Sequence, residues 1–492
     1  MAERKRLLCI VYEPGNFQVW LKLAARGRTT GGFDVILWSP YCLPDSARYQ
    51  AEALAAGTVY VEEATSAGGL ADIYTRLTGW LASKPIRLPS DLQAKVAGYA
   101  PPGADNSTTV ADALVADLTD GERYAVWSEV DRIRRRINFC EDWLVQLGID
   151  AVVLAEDNVE RDSYGWIEGA RRRGIMTAVS SYGAISDQEA VTAYKSSSSH
   201  AVDARRATLI RRHLPHWLAE GDGFAITRLP FVQAVARELT ATAPFNPWLV
   251  NAGHADAIAV ESSAMKQAYS RFGFPAAKLK PIGHPLQDVL AVVAGERRAR
   301  RTALFAQYNL PAHRQLAVVA MPPDQLASRS CVYRQYADVV SAFARLPGEL
   351  TGANVVVSPH PNISAEGRAL IRATGAVLVE TTVADLLPLA DLYICSVSST
   401  IKWALGCGIP VIDFDCYGYG YADYRELPQV MSAVDESGFR TALLRFGDPA
   451  EQAQLGALAT RGSEYWGAID GMALDRLLEL LFEVKSNDTR VI

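Results

Sequence analysis

Residues 354–362 read NVVVSPHPN, and residues 389–421 read LADLYICSVSSTIKWALGCGIPVIDFDCYGYGY. The apolar runs 355–357 and 392–394 are too short for a helix core. Each ends in small polar residues, the pattern of buried parallel strands. The first loop then carries Ser358, Pro359, His360, Pro361 and Asn362. The second carries Ser396, Ser398 and Ser399, followed by a predicted helix over 400–405. Serine at a helix start leaves backbone N–H groups and the positive end of the helix dipole facing outward, which favours an anion such as phosphate. In open α/β sheets ligands sit outside the carboxyl ends of the strands. His360 and the pair Ser398 and Ser399 are therefore expected to face one phosphate from two sides.

Working outward, the second lobe starts near Gln315 with a strand over 316–321, and strands alternate with helices up to Phe414. Upstream, residues 7–12 form a first strand, 19–26 a helical pattern and 33–38 a second strand, the order of a parallel α/β unit. Residues 45–135 read as mostly helical, broken by an exposed loop at 101–107. A helix over 131–147 leads into a strand at 151–154, whose end delivers Glu156 and Asp157. A helix over 164–173 and a strand over 175–179 ending in Ser180, Ser181, Tyr182 and Gly183 continue the alternation. Residues 185–250 depart from it. A strand over 257–261 restores it, and the crossing segment 278–288 follows. The last sixty or so residues read as helices with a polar tail.

A His-Pro pair after one strand, a Ser-Ser pair at a helix start after the next, and Gly408, Ile409, Pro410, Val411 and Ile412 on a further strand resemble the carboxyl-terminal domain of GT-B glycosyltransferases. The resemblance is closest to bacterial enzymes using CMP-activated sugars, the sialyltransferases and Kdo transferases, and to CDP-glycerol glycerophosphotransferases. It covers residues 354–421 closely and the remainder loosely. It implies an α/β fold of GT-B type, with two Rossmann-like domains and a cleft between them. The implied divisions are an acceptor-side domain at 1–284 with a helical insert about 185–250, a donor-binding domain at 285–463, and a final helical stretch at 464–492 crossing back.

The same resemblance implies that His360, Ser398 and Ser399 hold the donor's phosphate, with Pro361, Asn362, Ser396 and Thr400 around them and Lys402 adding charge from the first helical turn. It implies a nucleotide-sugar donor, CMP-linked, and a bacterial surface polysaccharide or lipid-linked glycan as acceptor. No cofactor and no metal are expected. Asp413, Phe414 and Asp415 spell a DxD triplet, and carboxylates suit Mg²⁺ or Mn²⁺. A strand-end role is preferred there, with the glycine and tyrosine run 417–421 as a wall.

Attack by a sugar hydroxyl on an anomeric carbon requires removal of its proton. Asp157 and Glu156 at a strand end supply a base, and His360 a phosphate ligand or general acid. Asn158 follows the acidic pair where the sialyltransferases have glycine. His284, at the Gly-His-Pro of the crossing segment, reads as part of a turn. Two other enzyme readings are a UDP-sugar hexosyltransferase and a UDP-N-acetylglucosamine 2-epimerase. The latter is disfavoured because Thr400, Ile401, Lys402 and Trp403 stand where an epimerase places acidic residues. The non-enzyme reading is a nucleotide-sugar binding protein without turnover.

The 492 residues, 49% of them hydrophobic, exceed what one ordinary core supports. A net charge of −6 gives no basic excess for nucleic acid. Seven cysteines without a CxxC pair suggest reduced thiols and a cytoplasmic protein. The basic amphipathic stretch 203–218 reads as a surface helix with one buried stripe. Its second reading is a contact with the inner face of the cytoplasmic membrane or with a lipid-linked acceptor.

Overall fold

The computed structural model describes residues 4–30, 32–63, 109–181, 188–326, 331–420 and 424–482. The loop expected at 101–107, the strand end at Tyr182 and Gly183, Tyr421 and the polar tail lie outside them. By compactness the chain divides into two units. The first takes residues up to Ala259, Tyr269–Lys280 and those from Leu478, and the second takes Val260–Ala268 and Pro281–Leu477.

The first unit holds β1 (Lys5–Ile10), β2 (Phe33–Ser39), β3 (Val59–Glu62), β4 (Ala151–Leu154), β5 (Met176–Ser180), β6 (Leu218–Gly221) and β7 (Phe224–Thr227), with β8 (Ala257–Val260) and β9 (Leu279–Pro281) at its boundary. Seven of these form one sheet in the order β3-β2-β1-β4-β5-β8-β9, parallel at β1–β2, β2–β3, β1–β4, β4–β5 and β5–β8. β1 and β4 are buried along nearly their whole length, which is why they read as continuous apolar runs rather than alternating ones. Trp38 and Trp166 anchor the core at 0% exposure, each such burial stabilising by roughly 1.5–3 kcal/mol.

Helix Ser163–Arg173 lies close against helix Asp120–Gln146 because Gly169 carries no Cβ. One placed there would sit 2.9 Å from the Glu141 backbone nitrogen. The long helix begins at a capping box, Thr119 with Glu122. Its other face joins Trp217, Phe231 and Val235 in a second core, so the irregular region after residue 188 packs as a satellite of this helix. β6 and β7 form a small antiparallel hairpin within that region. β3, within a stretch read as helical, is a four-residue edge strand, too short for its period to show against the flanking helix Ser46–Ala55.

The second unit has β10 (Leu316–Met321), β11 (Asn354–Pro359), β12 (Val377–Leu378), β13 (Leu392–Cys395), β14 (Val411–Phe414) and β15 (Val430–Ala433). Their order is β12-β11-β10-β13-β14-β15, parallel throughout. Numbered within the unit this is 3-2-1-4-5-6, the Rossmann order. Phe343, Phe414 and Phe439 stack in its core. Both sheets are therefore Rossmann-like and parallel, the fold class expected from the sequence.

Segment 260–268, placed before the 284 boundary by sequence, belongs to the second unit. Glu261 accounts for this, because its carboxylate pairs with Lys402 and accepts a hydrogen bond from Trp403 Nε1 at 2.9 Å. Asp288 likewise accepts the Ala473 and Leu474 N–H groups at 2.9 Å each. That fixes the start of helix Ala473–Phe482 in the second unit, and the chain leaves the unit only at Leu478.

Candidate functional site

In the second unit the sheet order reverses between β10 and its neighbours β11 and β13, where an open α/β sheet leaves a crevice at the carboxyl ends. His360 follows β11, and its N–H donates to the Met321 carbonyl at the end of β10, at 3.1 Å. The Asn362 N–H donates to His360 Nδ1 at 3.2 Å, so the neutral ring carries its proton on Nε2. Asn362 thus orients the histidine through its backbone. Its side chain, like that of Pro361, is exposed. Partial burial of the exposed-edge imidazole holds its pKa below the usual histidine value. Ser364 closes the loop by accepting the Gly367 N–H and capping helix Ala365–Ala373.

The loop after β13 turns at Val397, whose φ of 45° is unusual for a β-branched residue. The turn is held by Asp413 Oδ1, which accepts the Val397 N–H at 2.7 Å. Ser396 Oγ lies 3.6 Å from Cys416 Sγ. Ser398 Oγ lies 2.7 Å from Thr400 Oγ1, which also meets the Tyr393 hydroxyl. The Ser399 hydroxyl has no partner among the described residues, and residues 396–400 are half-buried. The helix that follows is Ile401–Gly406, only six residues. Hydroxyls and loop amides, rather than a helix dipole, are what this turn offers an anion.

Lys402 departs from its expected place. It is 1% exposed and paired with the equally buried Glu261. Its flanking Ile401 and Trp403 are buried as well, so all faces of this short helix are core. Asp413 and Asp415 are also committed, the latter accepting the Tyr419 and Gly420 N–H groups at 2.9 and 2.7 Å. The DxD spelling thus serves the two neighbouring turns. Among the described residues no group of three metal-ligating side chains forms a cluster.

In the first unit the two adjacent carboxylates after β4 go different ways. Asp157 is 5% exposed. Its Oδ1 accepts the Ser163 hydroxyl at 2.6 Å, and its backbone is clamped by Asn251, N–H to Oδ1 at 2.8 Å and carbonyl to N–H at 2.7 Å. Asp157 Oδ2 has no hydrogen-bond partner among the described residues. It borders a cavity of about 10 Å³, the size of one water, lined also by Arg237, Glu168, His254 and Thr242. Burial raises the Asp157 pKa against the pull of Ser163 and Arg237. Burial also lowers Arg237 to about 10.

Glu156 is 28% exposed and accepts from Arg161 Nε at 3.0 Å. Arg161 Nη2 reaches Glu13 Oε1, at the end of β1, at 3.3 Å. Its guanidinium stands 5.4 Å from the Tyr12 ring and 5.6 Å from that of Tyr41. Burial raises Glu156 above its ordinary pKa and Arg161 opposes that rise. Of the predicted acidic pair, only Glu156 is open to solvent. Sequence reasoning missed Glu13, although it follows β1 as Glu156 follows β4, and Arg161, which lies in a loop without periodicity.

The basic stretch 203–218 is helix Ala204–His213, with Ile210 and Trp217 buried. Arg205 and Arg206 pair with Glu122, and Arg211 with Glu220. Three of its four arginines are thus occupied by carboxylates of the same unit. No helix of the described residues is long and apolar enough to cross a membrane.

By sequence, the chain matches no family model and none of the curated proteins. Among solved structures it is similar to the UDP-GlcNAc 2-epimerase from Neisseria meningitidis bound to UDP-GlcNAc. That likeness has a TM-score of 0.49 and 9% identity over 97% of this chain and 100% of that one. A glycosyltransferase from Rickettsia africae gives a TM-score of 0.47 at 9% identity over 99% and 100%. The wall teichoic acid polymerase TagF gives 0.34 at 18% identity over 47% of this chain and 56% of its own. These likenesses are loose.

Proposed function

We propose that the protein is a glycosyltransferase moving a sugar from a nucleotide-activated donor, CMP-linked, to a hydroxyl of a glycan acceptor. The observation that carries the reading is the placement of the His360 loop and the Ser398–Ser399 loop at the same end of the sheet, on either side of β10. Strands two apart are separated by roughly 10 Å, a span that side chains reaching inward close around a phosphate or diphosphate. The Nε2–H of His360 and the Ser399 hydroxyl would donate to its oxygens.

In the transfer, the acceptor's O–H bond breaks and its proton passes to Glu156, while the oxygen forms a bond to the anomeric carbon. The bond from that carbon to the nucleotide phosphate breaks with its electron pair, and phosphate ligands stabilise the departing charge. The test is incubation with CMP-, CDP-, UDP- and GDP-linked sugars while free nucleotide is followed by chromatography. Consumption of a CMP-sugar, diminished in His360→Ala and Glu156→Gln, is expected. Interconversion of UDP-GlcNAc with its C2 epimer, without nucleotide release that depends on these residues, would replace this reading with the epimerase.

A further inference from the structure

Resting on the reading of Glu156 as base, we propose that Arg161, shared between Glu13 and Glu156 and held between Tyr12 and Tyr41, is the positioning residue for the Glu156 carboxylate. The order of the first sheet reverses at β1, and Glu13 and Glu156 leave the carboxyl ends of β1 and β4, its adjacent parallel strands. Two carboxylates on neighbouring strand ends repel, and one guanidinium between them offsets that repulsion.

The arrangement is built from both sides. Asn16 Oδ1 accepts the Tyr12 and Glu13 N–H groups at 3.2 and 3.1 Å, setting the turn that carries Glu13. The two aromatic rings limit where the guanidinium can go. Glu13 holds Arg161 by the longer bond, 3.3 against 3.0 Å, and is 56% exposed, so Glu156 has the stronger claim on Arg161. The charged and titratable groups acting on Glu156 are Arg161, Glu13, its neighbour Asp157 and Tyr12.

Removal of Arg161 takes away the influence favouring the ionised form of Glu156, and removal of Glu13 takes away one opposing it. The experiment is a ¹³C NMR titration of the full chain labelled at the glutamate carboxyl carbon, with the Glu156 signal assigned through Glu156→Gln. Arg161→Gln should move the Glu156 midpoint up, exposed-site Glu13→Gln should move it down, and Arg161→Lys should restore it towards wild type. Midpoints unmoved in both Arg161→Gln and Glu13→Gln would overturn the proposal. Nucleotide-sugar consumption by the same proteins separates the two claims. Midpoints that move while Glu156→Gln turns over donor like wild type would support Arg161 as the positioning residue and reject Glu156 as the base.

Discussion

Asp157 and Glu156 are adjacent in sequence and have opposite surroundings, so their substitutions should fail differently. Glu156→Gln keeps shape and removes the proton acceptor. Transfer should fall by about 10²–10⁴-fold with donor binding retained, as read by turnover and by titration with nucleotide. Asp157→Asn alters a buried carboxylate bonded to Ser163 and should cost about 1–3 kcal/mol of stability in denaturant titration. Loss of turnover without loss of stability in that variant would reinstate Asp157 as a catalytic group. Gly253 guards the same cluster, since a Cβ there would lie 2.0 Å from Asp157 Oδ2. Gly253→Ala should therefore destabilise by about 1–3 kcal/mol, and a variant with the wild-type melting temperature would show that the cluster gives way easily. The sequence showed both carboxylates at a strand end but not which one faces inward. That depends on Ser163, at the start of a helix before the irregular region, and on Asn251 and Gly253, which follow that region.

At the scale of elements, helix Asp120–Gln146 ties the first unit's sheet to its satellite core, and Glu122 is where it is pinned. Burial alone would raise this carboxylate. The Thr119 N–H, Arg206 and Arg205 outweigh burial and bring it from an ordinary 4.5 to about 2. A folded-state pKa below the unfolded one gives stability that is present above about pH 4.5 and lost as the pH falls towards 2. Wild type should lose melting temperature across that window more steeply than Glu122→Gln, measured by calorimetry between pH 5 and 2.5. Equal slopes would mean that the cap and the two arginines do not discriminate between the charged and neutral forms. Helices and buried strands were legible where period or run length was strong, as at 151–154 and 316–321. β3 was hidden by its four residues. The helix after Thr400 was foreseen, but not that Lys402 would turn inward to a carboxylate far away in sequence, because its partner Glu261 is brought there only by the fold.

For the molecule as a whole, the repeated feature is a parallel sheet whose strand order reverses next to its first strand, with polar loops at that place in each unit: Glu13 and Glu156 in one, His360 and Ser398 in the other. The short runs and their polar ends made the strand ends before Glu156, His360 and Ser398 visible from sequence, and Glu13 was passed over. Preference for one nucleotide or sugar over another was not visible, because loop side chains follow no period. The central claim is that the second unit's loops hold a nucleotide's phosphate, and the most direct test is thermal-shift binding of CMP, CDP, UDP and GDP to wild type and to His360→Ala. A ligand that binds only the folded state raises the melting temperature by mass action. Stabilisation by CMP or CDP, lost in His360→Ala, is the predicted result. Stabilisation that is indifferent to His360, or given only by UDP or GDP, would contradict it.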